Sequence, residues 1–259
     1  MDRCLSSLST NQVSNLSTVQ VQGLGTNQIN KLTTTQVLSL TSTQLNSLTY
    51  GQISALATNQ VGSLSTSQVN SLVPNQLNAM STAQIASLGT ANIVALSTAQ
   101  VSNIAVWNSI PLTTAELGVM TSDQLNALGT LEIEFLTTPQ ISSLTPAQIG
   151  VLTTDQFTAL STLQLQSLTT AQIIGLTTSQ VSNLDIYKTA LLTTSQIASF
   201  TVAELNALTT MQVQKLSTAQ IPAFGLGIDS FYTSQIAVLT SAQIQAISLP
   251  QVNSLLSTQ

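Results

Sequence analysis

Charge is nearly missing from this chain of 259 residues: four Lys or Arg and nine Asp or Glu make up 5% of it, against about 25% in an ordinary soluble domain. Histidine is absent altogether. That excludes imidazole metal ligands, a Ser-His-Asp triad and an imidazole general base. With a net charge of −5 and its few cations dispersed, the chain is not expected to bind a nucleic-acid backbone. Aromatic residues are 3% of the sequence. The single cysteine, Cys4, has no partner for an internal disulfide and reads as a small apolar residue near a terminus. No apolar run approaches the roughly 18 residues of a membrane-spanning helix. The first residues, Met1 to Leu8, lack the apolar stretch of a cleavable secretory signal.

What is abundant is neutral and polar: 34 Ser, 39 Thr, 29 Gln and 16 Asn, beside 43% apolar residues. Internal repetition organises both sets. Taking Leu8 as position 1 of an octad, all 28 such positions from 8 to 224 are apolar, and 23 are Leu. Position 6 is apolar at 25 of 27 places, failing at Ser109 and Thr189, and position 5 is Gln at 21 of 27. Position 2 is Ser or Thr at 20 of 27, and position 3 is Thr at 19 of 27. The consensus is L-[ST]-T-x-Q-[VI]-x-x. One residue is lost between Phe224 and Phe231, after which the pattern resumes at Gln235 and Gln243.

Positions 2 and 5 together form the capping box of a helix N-terminus, while positions 1 and 6 form its hydrophobic staple. Glu116, Glu132 and Glu204 are the acidic variants at position 5, as that role predicts. Proline agrees: Pro74 and Pro146 fall at the first helical position, Pro139 and Pro250 at the second, where a short helix admits them. A continuous helix is excluded, because eight residues rotate it by about 800° and the apolar stripe would drift. One octad could not fold alone. Its two apolar side chains are worth roughly 1.5–3 kcal/mol each when buried, against roughly 1–2 kcal/mol per ordered backbone residue. Stacking shares the core among neighbours. The expected fold is therefore all-α: a solenoid of about thirty very short capped helices, with Leu and Val/Ile inward and positions 4, 7 and 8 outward. A β-solenoid of Thr and Gln ladders is the alternative.

Residues 1–259 are expected to form a single repeat array, irregular at 105–112, 185–192 and 225–231. The first two irregular octads lie 80 residues apart, and Thr121 to Leu128 matches both Thr201 to Leu208 and Thr41 to Leu48. This is a superperiod of ten octads, readable as two superhelical turns of five or as duplication of a ten-octad block. Trp107, Tyr187 and Tyr232 stand at or beside the irregular octads. They are the candidate contact residues, as anchors or a carbohydrate platform. The alternative is that each fills the space left by a missing capped turn.

Catalytic, cofactor and metal sites are not expected. Glu132 and Glu134 do not share a helical face; Asp123, Asp155 and Asp229 are isolated; Lys31, Lys188 and Lys215 make no patch; and Gly225-Leu226-Gly227 is an incomplete phosphate loop. Runs such as Leu168-Thr169-Thr170-Ala171-Gln172-Ile173-Ile174-Gly175-Leu176 resemble the L-T-T-x-Q-[IV]-x-x-L tracts of large bacterial secreted and surface proteins. The resemblance covers nearly the whole chain and implies an extracellular or cell-surface scaffold, stalk or filament. Two functions are carried forward. One is a non-enzymatic structural module that self-associates end to end or side by side, since low charge favours association and an uncapped array leaves its ends open. The other is a binding module whose Ser, Thr and Gln rows recognise glycan, protein or ice, or carry O-glycans.

Overall fold

The computed structural model describes residue 5 and residues 7–104 and 112–258, and these contain 29 α-helices, one 3-10 helix and no strand. The helical solenoid is the observed architecture and the β alternative is set aside. Most helices have five or six residues and begin at position 3 of their octad, as in Thr10–Ser14, Thr18–Gln22 and Thr26–Asn30. Most are started by the predicted chemistry. At Ser9 the N-cap backbone is extended (φ −69°, ψ 158°), its hydroxyl accepts from the Gln12 amide at 3.2 Å, and Gln12 Oε1 accepts from the Ser9 amide at 2.8 Å. Where position 2 is Gly25, Ala57, Val73 or Tyr232, only the second of these bonds remains. The helix stops because position 1 turns extended, as at Leu40 (φ −62°, ψ 132°), with its amide closing a last short bond to Val37 O. Pro74 and Pro146 occupy the first helical position and Pro139 the second.

The chain divides into two compact units, Met1–Phe135 and Leu136–Gln259. Within the first, Thr10–Ser14 packs on Thr34–Ser39, Thr18–Gln22 on Ser42–Asn46, and Thr26–Asn30 on Tyr50–Ser54. The second unit repeats the rule: Pro146–Val151 packs on Thr170–Ile174 and Thr178–Asn183 on Val202–Ala207. Three octads thus complete a turn, and helices 24 residues apart form a column. This corrects the reading of five octads per turn. Five would follow only if sequence resemblance marked spatial neighbours, whereas the turn is set by which carbonyls position 5 can reach.

Positions 1 and 6 supply the core, with Val21, Ile29, Val37, Leu45 and Phe157 among the fully buried side chains. Positions 4 and 7 are exposed as expected, but position 8 is mostly half-buried, because its backbone faces the adjoining turn. Asn30 Nδ2, for example, donates to Ala55 O at 2.8 Å. Glycine at this contact brings backbones closer still: a Cβ on Gly150 would lie 2.5 Å from Gly175 O. Gly150→Ala is therefore expected to destabilise by about 1–3 kcal/mol, measurable as a lowered urea midpoint. An unchanged midpoint would mean that neighbouring turns separate freely.

Two of the irregular octads, 185–192 and 225–231, keep the architecture by other means. Residues 105–111 lie outside the described residues. The octad 185–192 has not lost its capped turn: Asp185 accepts from the amides of Tyr187 and Lys188 at 2.9 and 3.1 Å and starts the helix Ile186–Ala190. At 225–231 the short octad becomes the 3-10 helix Gly225–Ser230, entered through Gly225 at φ 55°. Phe224 and Phe231 meet edge to face there, with centroids 5.0 Å apart.

Candidate functional site

Position 5 does more than cap. Its Oε1 holds the N-cap amide of its own octad, while Nε2 crosses to the preceding turn. Gln68 Oε1 accepts from the Ser65 amide at 2.9 Å, and Nε2 donates to Val37 O at 3.0 Å and Leu40 O at 2.8 Å. The same pair of bonds recurs at Gln44, Gln52, Gln60, Gln84, Gln100 and Gln124 in the first unit, and at Gln172, Gln180, Gln196 and Gln212 in the second. These glutamines are buried, whereas Gln12 and Gln20, which make only the capping bond, are exposed. Buried amides need partners, and the array supplies them. After the lost residue the register shortens by one, and Gln235 still reaches Leu205 O and Leu208 O at 2.9 and 2.8 Å. The capping motif is visible in the sequence; the second half of the amide's work is not, because its acceptors are backbone atoms 28 and 31 residues away.

The substitutions at this position show what it demands. Gln is at once acceptor and donor, and each variant loses one half. Lys188 keeps the donor: Nζ donates to Thr158 O and Leu160 O, both at 2.7 Å, while Asp185 Oδ1 takes the place of the position 2 hydroxyl by accepting from the Lys188 amide. Asn92 is too short to reach its N-cap amide; Nδ2 donates to Leu64 O at 2.9 Å and to Leu88 O at 3.0 Å. Glu116 has no amide donor, and the turn behind it has changed accordingly. The Leu88–Gly89 peptide is turned over, with Gly89 at φ 77° and ψ 163°, so that Gly89 N–H faces Glu116 Oε1 at 3.2 Å. One peptide thus gives its carbonyl to Asn92 and its amide to Glu116. Glu204 has no such help. Its Oε2 accepts from the Thr201 amide, and Oε1 is buried without a hydrogen-bond partner. Burial raises its carboxyl above the usual value, only partly offset by the Thr201 bonds.

Of the candidate aromatics, Trp107 lies outside the described residues. Tyr187 is 64% exposed and Tyr232 57% exposed, so neither fills a gap inside the array. They sit on Ile186–Ala190 and at the start of Thr233–Ile236, two helices that both pack on Thr210–Lys215. Lys215 Nζ lies over the Tyr187 ring, 5.7 Å from its centroid. Tyr187 belongs to a larger feature. At position 4 of successive turns in one column stand Leu163, Tyr187 and Met211, exposed by 71%, 64% and 63%, with exposed Pro139 on the turn before. Gln166 Nε2 joins the Leu163 and Tyr187 turns by donating to Leu191 O at 2.8 Å. In the neighbouring columns of this unit position 4 is Ala147, Ala171 and Ser195, or Asp155, Ser179 and Ala203. The stripe's signal is apolar residues at a spacing of 24, which has no meaning until the turn length is known.

Among the described residues no three His, Cys, Asp or Glu side chains gather as metal ligands, and no helix is long and apolar enough to cross a membrane. Against known proteins, residues 5–34, 74–105 and 132–162 match the family model described as the ALTTAQ repeat. No curated protein matches the chain. The six letters of that repeat's name correspond to positions 8 and 1 through 5 of the octad, as in Ser167-Leu168-Thr169-Thr170-Ala171-Gln172. Over those three stretches the chain carries a repeat tract of the kind this family model describes.

Proposed function

We propose that this is a non-enzymatic structural repeat protein, a scaffold or stalk at the cell exterior that associates with further copies of itself. The observation that carries this reading is the glutamine ladder. The most numerous buried polar side chains bond backbone to backbone across turns, so their chemistry is spent on building length. Side-by-side association has a natural place in the Leu163–Tyr187–Met211 column, since a run of large exposed apolar residues on a polar surface marks a contact face. Low net charge leaves little repulsion to oppose it.

The test is electron microscopy and light scattering of the purified protein at rising concentration. Assemblies that grow with concentration are expected, and dispersed particles of one fixed length would count against the reading. The double variant L163K/M211K locates the contact. Both side chains are largely exposed, so folding stability is expected to change by less than about 1 kcal/mol, while side-by-side assembly is lost. Assembly that persists unchanged in the double variant removes the stripe from the mechanism.

A further inference from the structure

We infer that Glu204 is held as the neutral carboxylic acid and donates its Oε1 proton to a carbonyl of the preceding turn, which makes this turn a pH-sensitive joint in the array. The geometry follows from the ladder. At Gln164, Gln172, Gln180, Gln196, Gln212 and Gln220, Nε2 donates to the position 1 carbonyl 28 residues earlier, as Gln196 does to Leu168 O at 2.9 Å and Gln212 to Leu184 O at 2.8 Å. The corresponding acceptor for residue 204 is Leu176 O, which receives no donor among the described hydrogen bonds. The register of the ladder assigns that acceptor to Glu204, a residue only 1% exposed whose Oε1 is buried without a hydrogen-bond partner. Two oxygens with lone pairs and no hydrogen between them repel; a proton on Oε1 turns that contact into a hydrogen bond and restores the donor that Gln would bring.

The contrast with Glu116 strengthens the assignment. There the facing residue is Gly89, which can adopt φ 77° and offer an amide instead of a carbonyl. Behind Glu204 the corresponding residue is Thr177, an ordinary extended N-cap at φ −83°, and a β-branched residue cannot follow glycine into the left-handed half of conformational space. With the backbone fixed, the side chain must supply the hydrogen. No other charge settles the matter. The helix Thr178–Asn183 packed on this one has no charged residue, and neither has Thr194–Ala198 before it in the chain. The 3-10 helix on its other side carries Asp229, whose Oδ2 accepts from Ser254 at 2.9 Å, and Lys215 on the next helix lies over Tyr187. Burial itself pushes the Glu204 carboxyl upward.

The consequence for stability has a definite sign. The folded protein keeps this proton to a higher pH than the unfolded chain, whose carboxyl ionises near about 4.3. Its stabilising contribution is therefore full below that value and falls as pH rises through the folded-state value. The experiment compares urea midpoints of the full chain, E204Q and E116Q from acid to neutral pH. E204Q restores the consensus residue and is expected to match the parent in acid and to exceed it increasingly toward neutrality. E116Q, whose two carboxyl oxygens already face donors, is expected to show no such gain. An E204Q midpoint equal to or below the parent at neutral pH overturns the inference, and so does a gain that is the same at every pH. An equal gain in E116Q also overturns it, since loss of charge alone would then be the cause. A second readout needs no stability change: with ¹³C-labelled glutamate, the carboxyl resonance absent from E204Q should remain at its protonated position at a pH where exposed carboxyls have ionised. A position typical of an ionised carboxylate there refutes the assignment.

Discussion

Gln68→Ala is expected to lower folding stability by about 3–5 kcal/mol, the combined effect of a buried cavity and of polar groups left without partners. Gln68 is 3% exposed and links the Ser65 amide to the carbonyls of Val37, Leu38 and Leu40. Truncation strands the Ser65 amide and the Leu40 carbonyl inside the array. Gln12→Ala is the internal comparison, because Gln12 makes the capping bond and is exposed; about 1 kcal/mol or less is expected there. Urea denaturation followed by circular dichroism measures both. Similar losses in the two variants would show that glutamine matters only as a cap. Gln68→Glu separates the halves of the side chain, since it keeps the acceptor and removes the donor. Its penalty should grow from acid to neutral pH, as a buried carboxyl facing carbonyls becomes harder to ionise.

Gly89→Ser installs the consensus residue at position 2 and is nevertheless expected to destabilise by about 2–4 kcal/mol. Nothing lies within 4 Å of a Cβ built on Gly89, so the obstacle is φ 77° with ψ 163° and not crowding. That region is nearly closed to residues with side chains and costs about 1–3 kcal/mol to occupy. Serine can escape by turning the peptide back, but Leu88 O then confronts the Glu116 carboxyl, and the bonds to Asn92 and Glu116 are lost. Either route is unfavourable. Rescue should come from restoring the whole consensus: in an N92Q/E116Q background the same Gly89→Ser change should be neutral or stabilising. A thermodynamic cycle over the three positions is expected to show coupling well above additivity. Equal penalties in both backgrounds would mean that the three residues act independently.

How much of this is legible in the sequence depends on the range of the interaction. The capped helix is written within four residues, from Ser9 to Gln12, and local chemistry alone is enough to reveal it. Core positions follow from the same octad. The turn length does not, because nothing inside one octad states that three of them close a circuit. Once the ladder is visible, the exceptions become informative. Asn92 and Glu116 look like conservative variants of one consensus position, yet they share a single inverted peptide at Gly89. Lys188 looks like an intruder in an irregular octad, yet it performs the donor half of glutamine's role. The exposed Tyr187 could be named from sequence as a contact residue; its companions Leu163 and Met211 could not, being 24 residues away on either side.

A turn of three octads has a consequence for how such a chain can grow. Ten octads amount to three turns and one octad over, so a block copied at that length lands one column away from its parent. The related segments Ser42–Asn46 and Ser122–Ala127 show it: the first is stacked beneath Thr66–Ser71, whereas the second continues the column of Pro74–Asn78 and Thr98–Ile104. Copying therefore preserves every core and ladder position while scattering surface residues around the axis. A row of matched side chains along one column cannot be inherited by that route. The aligned Leu163, Tyr187 and Met211 are therefore not a product of copying ten-octad blocks.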